Sequence, residues 1–235
     1  PLLLGVVGSE DDLGFWVGAG LLVVAPLALL GRSGAPVSES CSVTFNDLLG
    51  FCRRMPVIAW AIALFAAFEA MILTLLPVYC LQQGFSTELA LFMVSTVVVG
   101  DALLQLPIGA LADRMSRRTL FSGCALTLLL SSLAIPLFMH TWMIWPLWVL
   151  FGASAGGLFT LSLVLIGERY RDDALVRANA HVAQLWGIGC LIGPLAAGAG
   201  SQWISGHALP LLMAVGAAGL VLLARRPNAF EPAPV

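Results

Sequence analysis

The sequence predicts an all-α membrane protein, a polytopic helical bundle with about seven transmembrane helices. Three observations predict it. The 235-residue chain is 60% hydrophobic and only 10% charged, with a mean hydropathy of +0.97, whereas a soluble domain carries roughly 25% charged residues. Apolar runs of about 20 residues recur from end to end, and each is long enough to cross ~30 Å of hydrocarbon. The basic residues fall only between alternate runs, the pattern of cytoplasmic loops in membrane proteins. A transmembrane barrel would instead show ~10-residue segments of alternating polarity, and that pattern is absent.

In chain order, hydropathy and helix breakers place spans at 13–31, 56–80, 88–112, 119–139, 143–166, 178–203 and 207–224. The opening PLLLGVV reads as the tail of an earlier span, so the chain is expected to be part of a longer protein. SEDD leads into the first span. The connector from Arg32 to Met55 is polar and rich in small residues (RSGAPVSESCS). It then turns amphipathic at FNDLLGFCRR, where a short helix lying on the inner membrane surface is expected. The remaining connectors are LQQGFST, DRMSRR, HTW, GERYRDDALVRAN and SGH, followed by the tail RRPNAFEPAPV.

There is no lysine. The eleven basic residues are Arg32, Arg53, Arg54, Arg114, Arg117, Arg118, Arg169, Arg171, Arg177, Arg225 and Arg226. All lie after the first, third, fifth and seventh spans. This alternation supports the span count independently of hydropathy. It makes the first span run inward and leaves the C-terminus cytoplasmic, with the cell (inner) membrane as the expected location. Trp16, Tyr79, Trp142, Trp145 and Trp203 fall near the predicted outer ends, where amphipathic rings favour the interface.

Composition also excludes function classes. A net charge of −2 implies no nucleic-acid partner. The five cysteines (Cys41, Cys52, Cys80, Cys124 and Cys190) are scattered and lack metal-ligand spacing, so neither a metal site nor a disulfide framework is expected. No GxxxxGK[ST] loop is present, so energy should come from an ion gradient, most simply of protons, and no cofactor is expected. The partners implied are a small-molecule substrate, the lipid bilayer and the remainder of the same chain.

The stretch GALADRMSRR, residues 109–118, packs one acid and three arginines into a turn between apolar runs. It resembles the signature loop of the major facilitator superfamily (MFS), G-x-L-A-D-R-x-G-R-R/K, through Gly109, Leu111, Ala112, Asp113, Arg114, Arg117 and Arg118. Ser116 stands where that pattern has Gly, which tolerates φ > 0 more readily. The resemblance implies helices 6–12 of a twelve-helix MFS fold. Residues 1–31 would be the end of helix 5 and helix 6, 32–55 the central cytoplasmic loop, 56–224 the C-terminal six-helix bundle, and 225–235 a cytoplasmic tail. It further implies a gating role for the loop. Asp113 would meet the N-terminal end of helix 11, and Arg114, Arg117 and Arg118 would pair with Asp172 and Asp173. In GIGCLIGPLAAGAG, Gly189, Gly193 and Pro194 resemble the glycine–proline motif of antiporter members, although GxxxG spacing also packs helices in any bundle. Gly152 and Gly156 in FGASAGG read as that kind of packing pair.

Two acids lie far from the membrane edges. Glu69 in AAFEAMI and Asp101 in VVGDALLQL are each about a dozen residues, or ~18–20 Å, from the inner end of their spans. An ionised carboxylate there costs at least ~2.5–3.5 kcal/mol on insertion scales. Each is therefore expected to meet a cation from the rest of the protein or to be protonated at rest, which makes both proton-coupling candidates. The competing reading is that each caps a kink or bonds a neighbouring hydroxyl. Gln105 lies one turn beyond Asp101 on the same face and, with Gln184 and Thr74, is a candidate for the substrate cavity. Asn179 and Ser154 are further polar residues inside spans, and His181 reads as a helix-end residue.

The function expected is secondary active transport, proton-coupled, by alternating access, with export of hydrophobic or weakly polar compounds favoured and no enzymatic activity. One alternative is a transport-inactive sensor or scaffold of the same superfamily. Another is an intramembrane serine protease built on Ser154 and His181, but their predicted depths differ by more than hydrogen-bond reach.

Overall fold

The computed structural model describes residues 20, 44–112, 114–203, 205–226 and 230. The chain divides into two units, Pro1–Ser42 and Val43–Val235. The expected span at 13–31 and the polar loop after it lie outside the described residues, Gly20 apart.

The second unit is helical: α1 Phe45–Arg54, α2 Pro56–Thr74, α3 Leu76–Gln82, α4 Thr87–Ala112, α5 Arg117–Phe138, α6 Ile144–Arg169, α7 Asp172–Trp203 and α8 Ala208–Ala224, with a 3-10 turn at Ser205–His207. Every span expected after residue 55 is thus helical. Helices α2, α4, α5, α6 and α7 are long and apolar enough to cross a membrane. The 17 residues of α8 reach ~25 Å.

The differences from expectation lie at the ends. The span expected at 56–80 is two helices that meet at Leu75. Pro77 has no N–H to give to the preceding turn, and the regular pattern resumes where Tyr79 N–H donates to Leu75 O at 2.8 Å. Helix α7 begins six residues before the expected start at 178, because Asp172 and Asp173 sit in its first turn, where negative charge complements the helix dipole.

The short helix expected at FNDLLGFCRR is α1. Asp47 accepts hydrogen bonds from the Thr44 backbone N–H (2.9 Å) and hydroxyl (2.6 Å), which ties down the helix start. Leu48 and Phe51 are buried, and Phe51 packs on Tyr170 and His181 at ring distances of 6.5 and 5.3 Å. The Thr44 bonds hold the exposed Asp47 carboxyl below its usual range. Since the folded-state value is the lower one, this stabilisation is complete above the ordinary carboxylate range. It is lost as pH falls through the folded-state value. Amide exchange should therefore show the first turn of α1 losing protection on acidification, and Asp47→Ala should show the same loss already at neutral pH.

Helix α4 packs mainly on α6, α2 on α7, and α5 on both α6 and α8. Between α2, α6 and α7 lies an aromatic cluster: Phe65 stacks on Phe159 at 4.7 Å, and Trp186 meets both edge-on at 5.6 and 5.2 Å. Phe68 meets Phe151 at 5.1 Å, and Trp148 meets Phe151 at 5.8 Å. Such edge-on and offset pairs add directional packing to sheer volume, which matters where lipid removes the hydrophobic drive between helices.

The two sets of connectors separate to opposite ends. At one end Arg117 pairs with Glu168, Arg118 Nη2 donates to the carbonyls of Arg225 (3.5 Å) and Arg226 (3.2 Å), and Tyr170 OH donates to Met55 Sδ at 3.3 Å. These contacts join the start of α2, the start of α5 and the ends of α6 and α8. At the other end Tyr79 OH bonds His207 Nδ1 at 3.0 Å and Phe85 stacks on His140 at 5.1 Å. The arginine-bearing connectors of the second unit thus gather on one side of the bundle, as their alternation required.

Candidate functional site

The site begins with two carboxyls on neighbouring helices. Glu69 lies on α2, 13 residues after Pro56, and Asp101 lies on α4, 11 residues before Ala112. Both are half-buried, and each is far from the arginine-bearing ends. Glu69 and Asp101 sit on contacting helices, α2 and α4, and the Cys190 thiol of α7 donates to Ala66 O of α2 at 3.6 Å. Asp101 Oδ1 accepts a hydrogen bond from Gln105 Nε2 at 2.8 Å, the i, i+4 contact that helical spacing allows. Phe65, one turn before Glu69 on the same face of α2, belongs to the aromatic cluster. The centre of the bundle therefore offers two acids, a carboxamide and an aromatic wall. Among the described residues no cluster of His, Cys, Asp and Glu is able to hold a metal.

Other expected site residues lie elsewhere. Gln184 Oε1 meets His181 Nδ1 at 3.1 Å, beside α1 rather than beside Glu69. Thr74 is exposed, and its hydroxyl donates to Ala70 O of its own helix at 2.6 Å. Asn179 is exposed. Ser154 donates to Phe151 O at 3.1 Å, so Ser154 and His181 each have a different partner and form no dyad.

The signature loop closes a tight turn between α4 and α5. Asp113 lies outside the described residues. A side chain at Gly109 would meet open space, and Arg114 is exposed. The pairing expected with Asp172 and Asp173 is replaced. Arg117 reaches Glu168 at the end of α6, while the two aspartates begin α7, Asp172 at a φ of 47°. Arg118 instead caps α8, whose last carbonyls are unsatisfied within the helix.

Ser116, the departure from the loop pattern, has φ −63° and ψ 128°, an extended conformation that needs no glycine. Its Oγ accepts from Thr119 N–H at 3.2 Å, so it serves as the N-cap of α5. Ser116→Ala should lower stability by about 1 kcal/mol, and Ser116→Gly by only a few tenths. Thermal melts of the two variants in detergent check this order.

Gly189 and Gly193 are buried on α7. A methyl at Gly189 would lie 2.4 Å from Ala63 O, and one at Gly193 would lie 2.7 Å from Ala67 Cα. Close packing of α7 on α2 accounts for both, with Pro194 following inside α7. Beside this contact, an apolar groove of about 310 Å³ is lined by Trp60, Ala63, Ala67, Gly189, Gly193 and Gly216. Trp60 Nε1 closes one side of it by donating to Gly216 O at 3.0 Å. Sequence reasoning missed this Trp60–Gly216 bond, since nothing local relates residues 156 positions apart.

A helical bundle in which five of the described helices are long and apolar enough to cross a membrane defines a multi-pass membrane protein. The family comparison gives that class its name: residues 59–234 match the family model of the Major Facilitator Superfamily, and the chain belongs to that family. Its relatives are named as transporters, not enzymes. It is 24% identical over 159 residues to the uncharacterised MFS-type transporter YfkF of Bacillus subtilis, covering 67% of this chain and 41% of that protein. It is 31% identical over 120 residues to the uncharacterised MFS-type transporter YcaD of Escherichia fergusonii, covering 51% and 31%. A third, from Yersinia enterocolitica, is 27% identical over 155 residues, covering 66% and 40%. The chain spans less than half the length of the curated relatives it matches.

Proposed function

We propose that this protein is a proton-coupled secondary transporter of the cell (inner) membrane, working by alternating access with its C-terminus in the cytoplasm. The observation that carries the reading is the pair Glu69 and Asp101, two carboxyls on contacting helices deep in an apolar bundle. Ionisable groups at such depth are expensive and mark ion or substrate pathways. Coupling by protons needs neither cofactor nor nucleotide. The aromatic wall beside Glu69 suits hydrophobic or weakly polar small molecules, and export of such compounds is the direction favoured. Gln105 at the acid pair is the polar residue best placed to meet cargo.

In alternating access one half of the transporter rocks against the other around a midplane site. The Arg117–Glu168 pair and the Arg118 cap hold α5, α6 and α8 together at one end, so these helices would move as a unit. Asp113, at the start of the same loop, is the residue proposed to make and break contact with the gate. Full-length protein in liposomes containing the pH dye pyranine, with ethidium as probe, tests the reading. An imposed proton gradient should drive ethidium movement, and ethidium movement should carry protons. Proton and dye movements that stay independent would overturn it and favour a sensor or scaffold.

A further inference from the structure

Gly156 on α6 faces Asp101 on α4. A methyl group there would lie 1.6 Å from Asp101 Oδ1, 2.9 Å from Asp101 Cγ and 3.1 Å from Gln105 Nε2. All three of its nearest obstacles are side-chain atoms of one hydrogen-bonded pair. Two other glycines of this contact meet backbone instead: a methyl at Gly152 would lie 2.1 Å from Val97 O and one at Gly100 would lie 2.5 Å from Val149 O. Gly100 and Gly152 thus fix the register of α4 on α6, and the space left by the missing side chain at 156 is filled by a carboxyl.

We propose that Gly156 is a positioning residue for Asp101. Its bare backbone is the seat on which Oδ1 rests while Gln105 donates to the same oxygen, so the glycine fixes where the carboxyl takes up and releases its proton. The inference rests on the proton-coupled reading above. The step itself is a proton gained from water by the carboxylate and returned to water on the other side, with no other bond formed or broken.

Ionisable groups reach this point from several helices. Glu69 comes from α2, with Cys190 of α7 behind it. Cys124 of α5 has its Sγ beside Gly157. On α3, Cys80 is bonded to Met93 Sδ at 3.5 Å, about two turns earlier on α4. The acid and base of α6, Glu168 and Arg169, are about three turns from Gly156.

The test uses full-length protein in nanodiscs without any transported compound. Dicyclohexylcarbodiimide captures carboxyls in their protonated form, and mass spectrometry quantifies the adduct on the Asp101 peptide as a function of pH. Gly156→Ala should move the half-labelling pH of Asp101 by about one unit or more, whereas Gly198→Ala, whose methyl meets nothing within 4 Å, should leave it in place. A Gly156→Ala profile superimposable on wild type would overturn the proposal. If Gly156→Ala folds poorly, the pair Asp101→Ala/Gly156→Ala decides. The loss of melting temperature caused by Gly156→Ala should vanish once Asp101 is truncated, and an equal loss in that background would overturn the seat. Neither readout depends on transport, so proton coupling stands or falls separately on the ethidium–proton assay.

Discussion

Glu69→Gln is expected to reduce proton-linked ethidium movement to background while the protein still inserts, purifies and melts like wild type. Glutamine keeps the size and polarity of the side chain but cannot carry a proton on and off. Asp101→Asn should have the same direction of effect, because it too removes a carboxyl that lies deep in the bundle. A loss of at least about tenfold in the coupled rate is expected for each, equivalent to roughly 1.4 kcal/mol. Neither acid has an ion-pair partner among the described residues, so neutralising one breaks no salt bridge there. Wild-type proton dependence in Glu69→Gln would remove that residue from the mechanism. If only Asp101→Asn lost coupling, Glu69 would be assigned to the cavity wall.

The second large effect is structural. Gly193→Leu should break the contact between α2 and α7 and cost at least about 3 kcal/mol, the upper range for overpacking a tight contact. The first methyl alone would approach Ala67 Cα to 2.7 Å and its O to 2.9 Å, and backbone atoms cannot rotate aside. Helices in lipid associate through such close packing rather than through a hydrophobic drive, so little else would offset the loss. Gel filtration in detergent should show aggregation or loss of the monodisperse peak. Gly198→Leu, on the same helix with open space around it, should remain monodisperse. Equal behaviour of the two variants would mean that the glycine spacing has no packing role.

Much of the fold was legible because membrane physics writes it into composition. A segment that crosses hydrocarbon must satisfy its backbone polar groups internally, hence a helix, and needs about 20 apolar side chains to span the core. Arginines concentrate in the loops on one side of the membrane, and the contacts of Arg117, Arg118 and Tyr170 show those ends brought together. Helix ends were less legible. The start of α7 at Asp172 and the break at Leu75 depend on dipole and proline effects that a hydropathy average smooths over. Partners were less legible still. The aspartates of the loop after α6 looked like natural mates for Arg117, yet Glu168, at the end of α6 itself, is the acid it meets.

For the acid pair, sequence alone determined that Glu69 and Asp101 lie deep in consecutive spans and that GALADRMSRR joins two helices at an arginine-rich end. These are local properties of type, spacing and hydropathy. Only the tertiary structure decided that α2 and α4 touch, that Gly156 faces Asp101, and that Gly189 and Gly193 clasp α2. Those facts depend on which helix faces which, and that choice is made by side-chain packing between residues tens of positions apart.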